Sequence, residues 1–317
     1  MSVTGSTPVL VVMDPADASD HALARGARLA DAMGLPLELF RVEFDQALEG
    51  SHFRVTERLE AARAARVDAS AVWLEEKARP WRAQGLEVAV AAEYANPGHE
   101  AVTRRALAVG AAVVVMRTHH HEWLARATLS ADDWQLIRVC PAPLLLAKGR
   151  EWPQHPRLLA AVDPGHRDDK HARLDHAILD LAQRLGAALQ AETLVAHCVL
   201  GGAALESAAV VAMMREALGT SAEDYARELL RQAREGILGL LEERAIPAER
   251  LHLLEGRPEQ ELPRLAASLG VDVLLTGGIS RSRVEQVFVG GTAERLLDRV
   301  DCDLLVVKPP GFRSPLA

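Results

Sequence analysis

The chain predicts two tandem α/β domains, each a doubly wound sheet of parallel strands flanked by helices. Two observations carry that expectation. The sequence repeats: Val9-Leu10-Val11-Val12-Met13-Asp14-Pro15 returns as Leu158-Leu159-Ala160-Ala161-Val162-Asp163-Pro164, and Leu144-Leu145-Leu146-Ala147-Lys148 returns as Leu304-Leu305-Val306-Val307-Lys308. Within each copy, short aliphatic runs without polar alternation take turns with helical stretches, the pattern of strands covered on both faces by crossover helices. A period of about 150 residues is too long for a solenoid and fits duplication of a whole domain. The copies are read as residues 1–150 and 157–310, joined at Gly149–Arg157, where Pro153 and Pro156 keep the connection short.

The strands follow in order. In the first copy they are Val9–Met13, Leu37–Val42, Leu86–Ala91, Ala112–Met116 and Leu144–Ala147. In the second they are Leu158–Val162, Leu194–Val199, Leu251–Leu254, Val271–Thr276 and Leu304–Val307. Helices are expected over Ala18–Met33, Thr56–Ala83, His99–Val109 and Ala222–Ala245. The last shows apolar residues near helical spacing at Leu229, Leu230, Ala233, Ile237, Leu240 and Leu241. Gly34, Gly85, Gly110, Gly186 and Gly270 are read as left-handed helix stops. Asp163 follows Asp14 by 149 residues, whereas Gly270 follows Gly110 by 160. The second copy is therefore longer by about eleven residues, and Gly201–Ala204 with the Ala/Met-rich segment after it is the expected place.

Composition narrows the function. Of 317 residues, 49% are hydrophobic but only 4% aromatic, so Leu, Val and Ala must fill the cores. A net charge of −8 without a basic stripe argues against a nucleic-acid partner. No secretory signal pattern and no run approaching the ~20 residues of a membrane span is present, so a cytoplasmic protein with no membrane span is expected. Cys140, Cys198 and Cys302 lack CxxC spacing and read as small reduced core residues.

In open parallel sheets ligands bind at the carboxyl ends of strands. The residues there are Asp14 and Asp163 after the first strands, and Arg117–His121 or Gly277–Ser280 after the fourth. Gly290 and Gly291 open the final helix, Ala293–Arg299, where bare backbone N–H groups at the positive helix end suit a phosphate. Thr292 adds a hydroxyl or caps that helix. Arg281 and Arg283 in the intervening loop could meet further phosphate charge. Read without further context, these glycines equally describe ordinary turns.

These residues together resemble the universal stress protein family. The strand ending in Asp163-Pro164, the spaced Gly277, Ser280, Gly290, Gly291 and Thr292, and the closing strand ending in Val307-Lys308-Pro309 carry the resemblance. Asp133-Trp134 before the last helix of the first copy, the Cys140-Pro141-Ala142-Pro143 turn and Gly290–Glu294 support it. The likeness runs from about Pro8 to Pro309, and the tandem layout is similar to UspE-type members. It implies a five-stranded parallel sheet per domain, an adenine nucleotide alpha hydrolase-like fold, ATP or a related nucleotide as ligand in some members, and pairing through the last strands. That pairing is expected between the two domains of one chain, with a homodimer as a further expectation.

The sequence also departs from the family pattern. Ser280 stands where a second glycine is expected, and a left-handed backbone there costs of order 1–2 kcal/mol. The hydroxyl of Thr292 comes one residue late, which removes a charge-assisted hydrogen bond of about 1.5–3 kcal/mol. The second copy thus reads as a degraded nucleotide site built on Asp163, Gly277, Ser280, Gly290, Gly291 and Thr292. In the first copy the same positions are Arg117, His120, Ser130 and Ala131, so no nucleotide is expected there in the family's manner.

His119 and His121 alternate in the first copy's ligand loop and could face one zinc ion, with Asp132, Asp133 or a histidine such as His155, His166 or His171 as partners. A polar surface loop is the other reading. Asp163 could also hold magnesium or a ribose. No nucleophile elbow, Walker lysine or paired-carboxylate spacing marks an enzyme, so slow ATP hydrolysis is the most that is expected. Three functions remain in competition: a nucleotide-binding stress-response protein, a binder of an apolar or nucleotide-sugar-lipid ligand through Ala203–Leu218 with Met213 and Met214, and a partner-binding protein with empty sites.

Overall fold

A computed structural model of the chain describes residues 7–17, 19–49, 56–118, 120–121, 126–127, 131–148, 150–164, 169–199, 222–278 and 295–316. These fall into two units. One runs to Glu151 and takes in Phe312–Ala317; the other runs from Trp152 to Gly311.

In the first unit the chain forms β1 (Val9–Val12), α1 (His21–Met33), β2 (Leu37–Glu43), α2 (Thr56–Ala83), β3 (Val88–Tyr94), α3 (Gly98–Val109) and β4 (Val113–Arg117). A short antiparallel pair follows, β5 (His120–His121) and β6 (Arg126–Ala127), then α4 (Ala131–Val139) and β7 (Leu144–Ala147). The second unit contains β8 (Arg157–Ala161), α5 (Asp169–Leu189), β9 (Glu192–Val199), α6 (Ala222–Glu242), β10 (Leu251–Glu255), α7 (Pro258–Leu269), β11 (Val273–Gly277) and β12 (Asp303–Val307).

Among the described residues each unit holds five parallel strands in the same order. The first reads β3-β2-β1-β4-β7 and the second β10-β9-β8-β11-β12. Parallel strands need crossovers, and right-handed crossovers place α1 and α2 on one face of the first sheet and α3 and α4 on the other. This double covering explains the unbroken apolar runs. Val9, Leu10, Val11, Val114, Val115 and Leu146 are fully buried, as are Leu158, Leu159, Ala160, Leu274 and Leu304. Each large aliphatic side chain so buried contributes about 1.5–3 kcal/mol. The two expected doubly wound α/β domains, each with a five-stranded parallel sheet, are therefore present.

Gly110 and its repeat mate Gly270 end α3 and α7, each at φ 61°, a left-handed conformation that costs glycine nothing. Gly186 does not stop a helix as expected; it lies inside α5, which continues to Leu189. A Cβ at Gly186 would stand 2.5 Å from Thr193 Oγ1 of β9, so the glycine lets helix and strand approach. Asp133 and Trp134 likewise lie within α4, not before it.

The extra length of the second copy also needs correcting. Val9 pairs with Leu37, 28 residues on, whereas Leu158 pairs with Thr193, 35 on. From second to third strand, Leu37 reaches Val88 over 51 residues and Val195 reaches Leu251 over 56. Seven extra residues therefore precede β9 and five follow it. The cause is helical: α5 has 21 residues against 13 in α1. Only the smaller share falls in the span that contains Gly201–Ala204, which itself lies outside the described residues.

Candidate functional site

In both units the sheet order reverses between the first and fourth strands, so the crevice at their carboxyl ends is where a ligand is expected. The first unit contains a cavity of about 450 Å³ at this end. Val12, Met13, Asp14 and Pro15 reach it from the end of β1, Arg41–Phe44 from β2, and Met116 and Arg117 from β4. Arg66 of α2, Gly98, His99 and Val102 of α3, and Leu136 of α4 complete the lining. Its volume lies within the ~300–1,000 Å³ usual for small-molecule pockets.

The polar groups of this cavity are organised in two clusters. Glu43 is buried, and its carboxylate accepts Ser70 Oγ–H at 2.5 Å. It also pairs with Arg41 and with Arg66 at 3.5 Å, and Arg66 lies 3.2 Å from Asp45. Arg41 lies over the Trp73 ring, 5.1 Å from its centre, which fixes the guanidinium against α2. In the second cluster Arg117 Nη1 donates to the Ala16 carbonyl at 2.9 Å and lies 3.2 Å from Asp17 Oδ1. Asp17 is 5% exposed, and its other oxygen accepts the Ala22 amide at 3.3 Å as α1 begins. The loop from Asp14 to Asp17 is thereby tied to the end of β4.

The sequence reading placed Asp14 and Arg117 at this strand end but missed Arg41, Glu43, Arg66 and His99. A signal existed for two of them. Two charged residues, Arg41 and Glu43, stand together at the carboxyl end of β2, the end of a parallel strand where ligands bind. Arg66 and His99 carried none, because their approach depends on how α2 and α3 pack.

In the second unit Asp163 and Gly277 end strands that sit side by side, since Leu158–Ala160 of β8 pair with Val273–Leu275 of β11. The Asp163 amide donates to Asp175 Oδ1 of α5 at 2.9 Å. Its carboxylate lies 3.8 Å from His197 Nδ1, which is bonded to the Val162 carbonyl at 2.9 Å. Burial pushes the His197 pKa down, and the Val162 contact only partly opposes this. A Cβ on Gly277 would meet Leu174 Cδ2 of α5 at 2.5 Å, and one on Gly278 would meet Val306 Cγ1 at 2.5 Å. Both glycines are thus used in packing. Lys308 Nζ donates to the Gly278 carbonyl at 2.9 Å, which brings a buried ammonium to this strand end.

Ser280, Gly290, Gly291 and Thr292 lie outside the described residues, as do His119 and the Ala203–Leu218 segment. His121 is described only as a strand residue opposite Arg126. Among the described residues no group of three His, Cys, Asp or Glu side chains is arranged for a metal ion, and no helix is long and apolar enough to cross a membrane.

Comparison with known proteins agrees with this architecture. The model of the universal stress protein family matches residues 6–148 and again 155–308. Universal stress protein E of Escherichia coli K12 is 25% identical over 308 residues, covering 97% of this chain and 96% of the relative. Universal stress protein E of Photorhabdus laumondii is 25% identical over 313 residues. Among solved structures, a protein of Pseudomonas aeruginosa PAO1 is similar at TM-score 0.71 and 25% identity, covering 96% of this chain and 93% of that one. A universal stress protein from Archaeoglobus fulgidus, 14% identical, shares the fold at TM-score 0.61 over 96% of this chain and 98% of its own. With both copies matched and nearly the whole length shared, the chain belongs to the universal stress protein family as a tandem-domain member of the UspE type.

Proposed function

We propose that the protein is a stress-response protein whose second domain binds ATP or a related nucleotide. The observation that carries this reading is the adjacency of β8 and β11, whose carboxyl ends bear Asp163 and Gly277 at the point where the strand order reverses. Nucleotides bind doubly wound sheets at such points. Gly277 opens the segment that runs through Ser280 to Gly290, Gly291 and Thr292, and Lys308 adds positive charge at the Gly278 carbonyl. Asp163 is suited to a ribose hydroxyl or a magnesium ion accompanying the phosphates. With a serine in place of one glycine and the hydroxyl displaced, binding is expected to be weak, with a Kd of order 0.1–1 mM.

Calorimetric titration of the full chain with ATP tests this. A Gly290→Trp variant, which fills the phosphate position, and an Asp163→Ala variant should each reduce the affinity at least tenfold. Binding left unchanged in both, or no heat from the unaltered protein at millimolar ATP, would remove the nucleotide reading.

A further inference from the structure

The first-domain cavity does not resemble a nucleotide site in its chemistry, and this sets it apart from the reading above. Where a glycine loop would wrap phosphate with backbone N–H groups, the first copy presents the side chain of Arg117. Among the described residues the hydrogen bond of that guanidinium, to the Ala16 carbonyl, and its nearest approach to Asp17 are both made by Nη1. Among the described residues the edge formed by Nε and Nη2 makes no hydrogen bond, and the side chain, which lines the cavity, is 28% exposed. Two parallel N–H groups on one edge match the two oxygens of a carboxylate. The amino end of α3, which begins at Gly98 after Pro97 with no side-chain cap, lines the same cavity and also favours negative charge.

The charge balance limits how much anion the cavity accepts. Asp14 and Glu43 line it together with Arg41, Arg66 and Arg117, and every one of those arginines already has a carboxylate beside it. The lining holds these three arginines against two carboxylates, so a dianionic or more highly charged phosphate exceeds the single positive charge in excess. One negative charge is the number that Arg117 can take. Beside His99, the buried side chains of Val102, Met116 and Leu136 give the wall an apolar face.

We infer that the first domain binds a small organic monocarboxylate, with its carboxylate on the Nε/Nη2 edge of Arg117 and its apolar body against Val102, Met116 and Leu136. This site is independent of the second domain's nucleotide reading.

The test is titration of the full chain with 3-phenylpropionate, its neutral amide, and inorganic phosphate, followed by calorimetry and by thermal shift. The carboxylate should bind and raise the melting temperature, with the amide at least tenfold weaker and phosphate without effect. Arg117→Ala should weaken the carboxylate at least tenfold, and Arg117→Lys, which keeps a cation beside Asp17, by a smaller factor. Gly290→Trp should leave carboxylate binding unchanged, so this site and the nucleotide site fail separately. Equal binding of acid and amide, stronger binding of phosphate, no binding of the acid, or an Arg117→Ala variant that binds as well as the parent would each overturn the inference. Should Arg117→Ala fail to fold, the acid-to-amide ratio in the unaltered protein decides alone.

Discussion

The Asp163 amide donates to the carboxylate of Asp175 at 2.9 Å, so the end of β8 is held by the helix that follows it. In the first unit the corresponding position of α1 is Gly26, which has no carboxylate to offer, and the Ala22 amide at the start of α1 is met by Asp17. The amino-terminal part of α5 brings Leu174 onto Gly277 and Asp175 onto Asp163, while its added length lies at the other end. Asp175→Ala is expected to lower stability by about 1–3 kcal/mol, because a part-buried amide loses its acceptor. Urea denaturation of the variant, monitored by circular dichroism, measures the loss; a difference below 0.5 kcal/mol, taken as about the size of an ordinary surface change, would contradict it.

Trp152 Nε1–H donates at 2.8 Å to Asp303 Oδ2, 151 residues away, and the aspartate is 1% exposed. This bond ties the first residue of the second unit to the start of its last strand. Trp152→Phe should cost about 1–3 kcal/mol, since it withdraws a donor from a buried carboxylate. The readout is the midpoint of chemical unfolding compared with the parent chain.

Ser70→Ala should weaken the first domain by about 1.5–3 kcal/mol, the range for a hydrogen bond to a charged group. Ser70 is 3% exposed and its hydroxyl is bonded to the buried Glu43 carboxylate. Guanidinium unfolding of the variant gives the number, and no change would mean that Arg41 and Arg66 alone satisfy Glu43.

His197 makes stability depend on pH in a definite direction. Its folded-state pKa is depressed by burial, so below the ordinary value of 6.5 the unfolded chain binds a proton that the folded chain does not. Stability therefore falls as pH drops from about 7 toward the lowered pKa and rises again on return. The stability difference between pH 7.5 and 5.5 should be smaller in His197→Gln than in the parent. An equal difference in both would exclude His197 as a contributor.

The cysteines should label only on unfolding. Cys140 and Cys302 are buried, and burial together with Glu261 and Glu259 pushes the Cys198 thiol up to about 12. A thiol is a poor nucleophile until ionised. Iodoacetamide at pH 8 should modify none of the three within an hour in the native protein and all three in urea, as counted by intact mass.

The sequence by itself determined the repeat, the strand order in time and the parallel character of both sheets. Unbroken runs such as Val113–Met116 and Leu304–Val307 have no polar face to show water, and that alone demands helices on both sides. It determined the helix ends at Gly110 and Gly270 for a similar local reason, the need for a left-handed residue. It also placed Asp14, Asp163, Arg117 and Gly277 at strand ends. Tertiary structure decided what surrounds those residues. Gly186 and Gly277 are glycines because Thr193 and Leu174 approach them from other elements, contacts that no local pattern encodes. The cavity exists because α2 and α3 bring Arg66 and His99 to strands far away in sequence, where Arg41 and Glu43 already stand. Periodicity reports which face of an element is buried; it does not report which partner buries it, and a binding site is made of partners.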